Sequence, residues 1–461
     1  MVKLFGKNYP VRKLLLFIIE GLFLLVSLAF VDVLKYGGDL TALYDQSIWP
    51  RLFLIVVVSQ LCLYYNDLYT FKGRIDYVEM STRLFQAVGV ACILLGFLFY
   101  LFPSLMPGRQ IFILSLLVFI FLSSVWRYGY CFLLKNRCWS VPVMVLGMGH
   151  FLNDIINEID ENVDCGFRVA GIAVKGGMER DRVGNIPLFD SFDNLLEKVA
   201  ETRSDAVIVA MDERRGNLPV DELLECKMHG IPIIEGETFF EELTGKLLVD
   251  KINPSWLIFK EGFMISPLSA GLKRFVGAVI ALVGLVVSLP VMLITAISIK
   301  LDSKGPVLFS QERVGKDGKT FNILKFRSMR TDAEKDGARW ANENDDRVTR
   351  VGRVIRKLRI DEIPQMWNVL KGDMNFVGPR PERPVFVEAL SKKIRYYTQR
   401  HTVRPGITGW AQINYPYGAS EEDAKKKLEY DLYYIKHMSV VLDLYIILKT
   451  VRTILFKFGA R

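Results

Sequence analysis

Uninterrupted apolar runs dominate the first third of the chain. Residues 14–34 hold enough apolar positions to cross a hydrocarbon core of about 30 Å as a helix rising about 1.5 Å per residue. No small-residue cleavage site follows, so the run reads as a retained span rather than a signal peptide. Residues 52–65, 84–102 and 111–134 predict three more spans; the second is short, and Arg51 at its edge has to snorkel. Lys3, Lys7, Arg12, Lys13, Lys72, Arg74, Arg83, Lys135 and Arg137 fall on one side of these spans, against Lys35, Arg51 and Arg109 on the other. That bias puts both ends of a four-helix unit, residues 1–138, in the cytoplasm. Glu20, Asp32 and Arg127 lie in or near the spans, as packing pairs, interfacial positions or functional groups.

After residue 138 the period changes. Short Val/Ile-rich runs, "VPVMVLGMG", "FRVAGIAV", "DAVIVA" and "IPIIEG", alternate with amphipathic helical stretches, which predicts a parallel, Rossmann-like α/β domain over residues 139–252. Its glycine turn carries Gly147 and Gly149, but Leu152 stands where the third fingerprint glycine would be. The domain therefore reads as non-catalytic, regulatory or oligomerising, although a helix N-terminus after the turn leaves a nucleotide open.

A third domain, residues 253–461, opens on another uncharged run. Residues 275–299 would extend roughly 37 Å as a helix, so hydropathy alone makes them a fifth crossing. Ser288 and Pro290 change that reading, because proline removes a helix hydrogen bond and a serine hydroxyl can satisfy a freed carbonyl. A break there lets the helix re-enter the face it came from, anchored by Lys273, Arg274 and Lys300 at one interface. Near the end, Val441, Leu444, Leu448, Val451 and Leu455 share a helical face, with Lys449, Arg452 and Lys457 available for headgroups, so this helix is expected to lie on the membrane.

Composition agrees. Of 461 residues 51% are hydrophobic and 24% charged, too apolar for a typical soluble enzyme and incompatible with disorder. The net charge of +9 suits anionic lipid or a phosphorylated substrate; no nucleic-acid partner is expected. Six cysteines without a Cys-x-x-Cys pair and four scattered histidines argue against zinc or a disulfide framework.

Candidate chemistry concentrates in "RVTRVGRVIRKLRIDEIPQMWNVLKGDMNFVGPRPERP", residues 347–384. Arg350, Arg353, Arg356 and Lys357 recur at helical spacing, and the pair Asp361-Glu362 stands just before Pro364. Proline disfavours helix before it and starts helix after it, so one helix should end near Ile360 and another begin near Pro364. Both carboxylates then sit at a junction suited to phosphate chemistry, one able to attack while its neighbour holds a divalent cation. Asp361 is expected to be ionised, as free Asp titrates near ~4. Arg380 is fixed between Pro379 and Pro381; Arg404 lies in a second Pro-Gly loop, "VRPGITGWAQ"; Lys325 and Arg327 follow an expected hairpin at Lys316-Asp317-Gly318. Guanidinium groups match phosphate oxygens as a planar fork.

From about Leu272 onward the chain resembles the bacterial polyprenyl-phosphate phosphoglycosyl transferases of the monotopic type, through the re-entrant run, "KFRSM", "RxxRxxxIDEIPQ", "NVLKGDMNFVGPRP" and "RPGITGWAQ". With the four spans and the α/β insert it is similar to the large membrane-anchored branch that begins exopolysaccharide or O-antigen assembly. The resemblance implies that Asp361 attacks the sugar-bearing phosphate of a UDP-sugar, that UMP leaves, and that polyprenyl (undecaprenyl) phosphate takes the sugar phosphate. It implies Glu362 as ligand to Mg2+, Arg356 for the polyprenyl phosphate and Arg380 for substrate phosphates. Here Leu289 separates Ser288 from Pro290, whereas some relatives have a direct Ser-Pro pair. The expected setting is the bacterial inner membrane, with both soluble domains cytoplasmic and a homodimer possible. The competing reading is a nucleotide-sensing membrane scaffold for polysaccharide assembly without catalysis. It gives no reason for carboxylates beside Pro364 or for an arginine between two prolines.

Overall fold

The apolar runs fold as helices. α1 (Val11–Lys35), α2 (Ile48–Tyr65), α3 (Tyr77–Leu101) and α4 (Arg109–Lys135) follow one another in the first part of the chain. The computed structural model describes residues 2–4, 7–9, 11–35, 48–69, 71, 76–175, 186–252, 262–263, 266–333, 345–416, 418 and 420–456. Four helices among these are long and apolar enough to cross a membrane: α1, α3, α4 and a fourth at Pro267–Asp302; Trp49–Tyr65 is shorter. Two compact units are present, Met1–Phe239 and Phe240–Arg461.

In the first unit the helix faces turned outward keep Phe53, Phe97 and Phe121 exposed, as lipid contact requires. Inside, Arg127 of α4 pairs with Glu20 of α1 at 2.6 Å, both fully buried, and donates to the Leu68 carbonyl oxygen at 2.6 Å. The intramembrane charges are thus partners of each other, and the arginine also closes the turn after α2. Arg12 and Lys13, at the start of α1, meet Asp164 at 2.8 and 2.9 Å, and Arg12 also donates to the Trp139 carbonyl. These contacts join the first helix to the α/β part of the same unit.

That part is a five-stranded parallel sheet. Its strands are β1 (Val141–Met148), β2 (Phe167–Val174), β3 (Leu188–Phe189), β4 (Ala206–Met211) and β5 (Ile233–Glu235). Their spatial order is β3-β2-β1-β4-β5, every pairing parallel. All six residues of β4 are buried, which is why it reads as a continuous apolar run rather than an alternating one. Strand order reverses between β1 and β4, the place where doubly wound sheets open a ligand crevice. α5 (His150–Glu161) follows the glycine turn and packs Phe151, Leu152, Ile155, Ile156 and Ile159 inward.

The second compact unit begins at Phe240, and the residues just after that point pack within it. Within the second unit Trp410 donates to the Gly245 carbonyl at 2.7 Å, Lys436 pairs with Glu241 at 2.7 Å, and Leu247 N–H donates to the Glu429 carbonyl at 3.1 Å.

α6 (Pro267–Asp302) is the long helix of the second unit. Ser266 accepts from Ser269 N–H at 3.2 Å and Pro267 opens the first turn, where its missing N–H costs nothing. The helix continues through Pro290, with Ser288 Oγ donating to the Leu285 carbonyl at 3.3 Å, so the expected break at Ser288–Pro290 does not end the helix. One stripe, Lys273, Gly277, Ala281, Thr295 and Ile299, is buried; Leu282, Val283, Val286, Val287, Leu289, Leu293, Ile294 and Ile297 are exposed. Lys273 and Arg274, expected at the lipid interface, turn into the protein. Lys273 Nζ meets Asp443 Oδ2 at 2.5 Å, the Val377 carbonyl at 3.1 Å and the Tyr434 hydroxyl. Arg274 donates to the carbonyls of Val369, Leu370 and Met374. Burying the ammonium beside Asp443 is cheaper than leaving that carboxylate alone among apolar residues.

Removing one partner of the Glu20–Arg127 pair strands a buried charge. Glu20→Ala is expected to cost about 3–5 kcal/mol, read as a lower unfolding midpoint in detergent. The double change Glu20→Leu with Arg127→Leu should recover most of it.

Candidate active site

The polar site of the second unit is assembled from four stretches of chain. β6 (Leu308–Val314) and β7 (Thr320–Phe326) form the expected antiparallel hairpin about Lys316–Gly318, with Asp317 and Gly318 at positive φ. α7 (Arg350–Lys357) starts where Thr349 caps Gly352 N–H at 2.9 Å. Gly352 is required: a Cβ there would stand 1.9 Å from the Ser328 carbonyl oxygen, so only glycine lets α7 lie against the chain leaving β7. The helix ends earlier than Ile360, because Arg359 adopts φ +57 and a 3-10 turn, Ile360–Glu362, follows. Pro364 then caps α8 (Gln365–Lys371).

This turn places both carboxylates inside, Asp361 and Glu362 each 9% exposed. Arg380 donates to Glu362 from Nη2 at 2.5 Å and from Nη1 at 3.5 Å; Arg359 Nη1 and Lys325 Nζ stand 3.7 and 3.9 Å from the same carboxylate. Burial pushes Glu362 up, but Arg380, Lys325 and Arg359 outweigh it and hold the group well below the usual carboxylate range. Asp361 moves the other way. Burial, then the charge of Glu362, raise it to about 6 against Lys325, Arg380 and Arg356. It is therefore a weaker acid than the free side chain, contrary to the expectation of an ordinary value, and is still mostly ionised at neutral pH. Burial lowers Lys325 to about 8, with Arg380 and Arg313 acting the same way and Glu362 opposing.

Asp361, Glu362, Lys325 and Arg380 thus come together, with the charge of Arg356 reaching Asp361. Arg327 does not join them. Its guanidinium donates to the carbonyls of Ser303 and Lys304 at 2.8 and 2.9 Å, closing the C-terminal end of α6. Arg404, in the loop before the strand Gly406–Thr408, repels Arg274 instead. Ser288 and Pro290 lie in the middle of α6. Three site residues had no singled-out role in the sequence. Arg359 stands three residues before Glu362, and Arg313 reaches the chain around Arg380, donating to the Pro381 carbonyl at 3.1 Å. Gln365, 2% exposed, has a side-chain nitrogen with no hydrogen-bond partner.

Among the described residues no group of three or more His, Cys, Asp and Glu side chains could cage a metal. Two adjacent buried carboxylates nevertheless fit a magnesium ion, which takes one or two carboxylates and completes its shell with substrate phosphate and water.

The profile of the bacterial sugar transferase family matches residues 268–457, and that of a CoA-binding domain family matches residues 66–225. A UDP-N-acetylgalactosamine-undecaprenyl-phosphate N-acetylgalactosaminephosphotransferase of Aeromonas hydrophila is 48% identical over 52% of this chain and 56% of its own length. An undecaprenyl-phosphate glucose phosphotransferase of Komagataeibacter xylinus is 33% identical over 70% of this chain and 61% of its own. An exopolysaccharide production protein of Rhizobium leguminosarum is 42% identical over 39% of this chain and 93% of its own. The chain belongs to the bacterial sugar transferase family. It spans little more than half the length of the first two of these relatives.

The α/β part does not fit coenzyme A. Its pyrophosphate would need the N–H groups that open α5, and His150 N–H already donates to Asp212 Oδ2 at 2.8 Å. A Cβ on Gly149, at φ +89, would stand 2.1 Å from that same oxygen. Asp212 directly follows β4 at the reversal of strand order, so a carboxylate holds the place a phosphate would take. Glu235, the last residue of β5, and Glu237, just beyond it, add negative charge around Arg214. Coenzyme A, NAD or UDP at millimolar concentration is expected to leave the exchange rate of the His150 amide hydrogen unchanged. Protection of that amide by any of them would contradict the assignment.

Proposed function

We propose that this chain transfers a sugar phosphate from a UDP-sugar to polyprenyl (undecaprenyl) phosphate, as the initiating membrane step of exopolysaccharide or O-antigen synthesis. The observation that carries the reading is the buried Asp361–Glu362 pair ringed by Lys325, Arg359, Arg380 and Arg356. In the first step a carboxylate oxygen of Asp361 attacks the phosphorus that bears the sugar. The bond to the bridging oxygen breaks, UMP leaves with the electron pair, and the sugar phosphate is held as an acyl phosphate. In the second step an oxygen of polyprenyl phosphate attacks the same phosphorus, and the Asp361 carboxylate departs unchanged. Asp361 needs no base, since most of it is already ionised at neutral pH. Lys325 and Arg380 are placed to neutralise charge on the diphosphate, the dominant contribution in phosphoryl transfer. Glu362 would hold Mg2+, which supplies further charge neutralisation when bound.

The re-entrant reading of α6 finds support in its contacts. Ala281 belongs to an apolar cluster with Ile323 of β7, and Met292, Ala296 and Ile299 to a cluster with Phe326 of the same strand. Ile323 and Phe326 are about 10 Å apart along a strand, whereas a straight helix would separate Ala281 from Ile299 by about 27 Å. Both halves resting on one soluble body favour entry and exit by a single, cytoplasmic face. An amphipathic helix, Val440–Phe456, exposes Val441, Leu444, Leu448 and Val451 and is suited to lie at that interface. The lipid-borne acceptor then meets a water-borne donor without leaving the bilayer.

Purified protein with Mg2+ and polyprenyl phosphate is expected to release UMP from at least one UDP-sugar, with UDP-N-acetylgalactosamine and UDP-glucose tried first. Asp361→Asn should abolish that release and the phosphosugar adduct, and Arg380→Ala should lower kcat by about 10²–10³-fold. Wild-type activity in the Asn variant would remove the mechanism. In a cysteine-free background, single cysteines at 268 and 304 should both react with a cytoplasmic, membrane-impermeant reagent; labelling of 304 from outside would overturn the re-entrant topology.

A further inference from the structure

The turn that carries Arg380 is held in an unusual way. Pro379 and Pro381 have no N–H, so the turn can be gripped there only through its carbonyls. Four successive carbonyls are gripped, two of them by neighbouring residues of β6. Pro379 O accepts from Gly406 N–H at 2.9 Å, Arg380 O from Arg400 Nη2 at 2.9 Å, Pro381 O from Arg313 Nη1 at 3.1 Å, and Glu382 O from Val314 N–H at 2.9 Å. The proline rings fix φ at 379 and 381, so the Arg380 side chain can swing mainly through the φ and ψ of Arg380 itself, and ψ sets the direction of the peptide plane that carries the Arg380 carbonyl. Arg400 is the group bound to that plane.

Arg400 is itself fixed. It stands in the 3-10 turn Tyr397–His401 and is 5% exposed. Its Nη1 donates to the Tyr397 hydroxyl at 2.8 Å, and its Nη2 lies 2.8 Å from Asp431 Oδ2 on the helix Glu421–Lys436. Asp431 is 1% exposed. A planar guanidinium reaches a hydroxyl, a carboxylate and a carbonyl together, which a single ammonium in this place cannot do. With its own guanidinium on Glu362, Arg380 is gripped at both ends: the backbone by Arg400, the side chain by the acidic pair.

We infer that Arg400, oriented by Asp431, is a positioning residue that aims Arg380 at the phosphates of the substrate. The inference rests on the proposed phosphoglycosyl transfer. A misplacement of about 1 Å at such a group can cost on the order of 10²-fold in rate.

Arg400→Met with Asp431→Leu replaces the ion pair by apolar side chains of similar size, a change that buried pairs tolerate without loss of stability. In the full-length protein, with a UDP-sugar that the wild type consumes, this double variant is expected to keep its unfolding temperature. Its kcat/KM for UMP release should fall on the order of 10²-fold. Arg400→Lys, which keeps the charge beside Asp431, is expected to lose activity similarly. In an Arg380→Lys background the double change should cost little further, because the residue it serves is already altered. Equal losses in both backgrounds, or no loss in the wild-type background, would overturn the inference and leave Arg400 a packing residue. A wild type that releases no UMP from any UDP-sugar would instead overturn the proposed function. The grip on the turn is then read from the amide hydrogens of Arg380 and Glu382, which should exchange faster in the double variant; unchanged exchange would overturn it.

Discussion

Two neighbouring carboxylates leave water together only if cations leave with them, because each uncompensated buried charge costs several kcal/mol. The burial of Asp361 and Glu362 therefore dictates what surrounds them. The β6–β7 hairpin delivers Lys325, the left-handed residue before the 3-10 turn delivers Arg359, and the proline-flanked turn delivers Arg380. The cations do not serve the two acids equally. Glu362 takes the contacts and is held as a strong acid, and Asp361 is left as the weaker one. Such a division suits a pair in which one member binds charge and the other forms a bond.

The long helix α6 is governed by the same economy of polar groups. Its lysine and arginine at 273 and 274 bind a buried carboxylate and four backbone carbonyls, and its far end receives Arg327 on the carbonyls of Ser303 and Lys304. Between those fixed ends the helix presents apolar side chains outward. Contacts with protein hold the helix near both of its ends.

Much of this was legible in the sequence wherever the signal was local. The apolar runs, the Val/Ile-rich strands, the hairpin at Lys316–Gly318 and the junction before Pro364 all depend on neighbours within a few residues, and all were found close to their expected places. Long-range pairings left no such trace. Nothing near Lys273 announces Asp443, and nothing near Arg327 announces the end of a helix two dozen residues earlier. Arg359 was legible as a basic residue, but its left-handed backbone, which turns it toward Glu362, carries no residue-type signal, since glycine or asparagine is the usual choice there. Asp212 escaped for a similar reason. It lies 62 residues from the amide it caps, and the glycine turn alone suggested an open anion site.

The contacts of Arg12 and Lys13 with Asp164 bear on how this protein can be taken apart. Hydropathy changes near residue 138, which invites a cut between the spans and the sheet. Yet the entrance of the first helix is neutralised by a carboxylate from the far side of that cut, and Arg12 also holds the Trp139 carbonyl. A fragment made on either side would carry an orphaned ion on its new surface. The apolar helices and the parallel sheet are for that reason better regarded as a single manufactured part, to be expressed together.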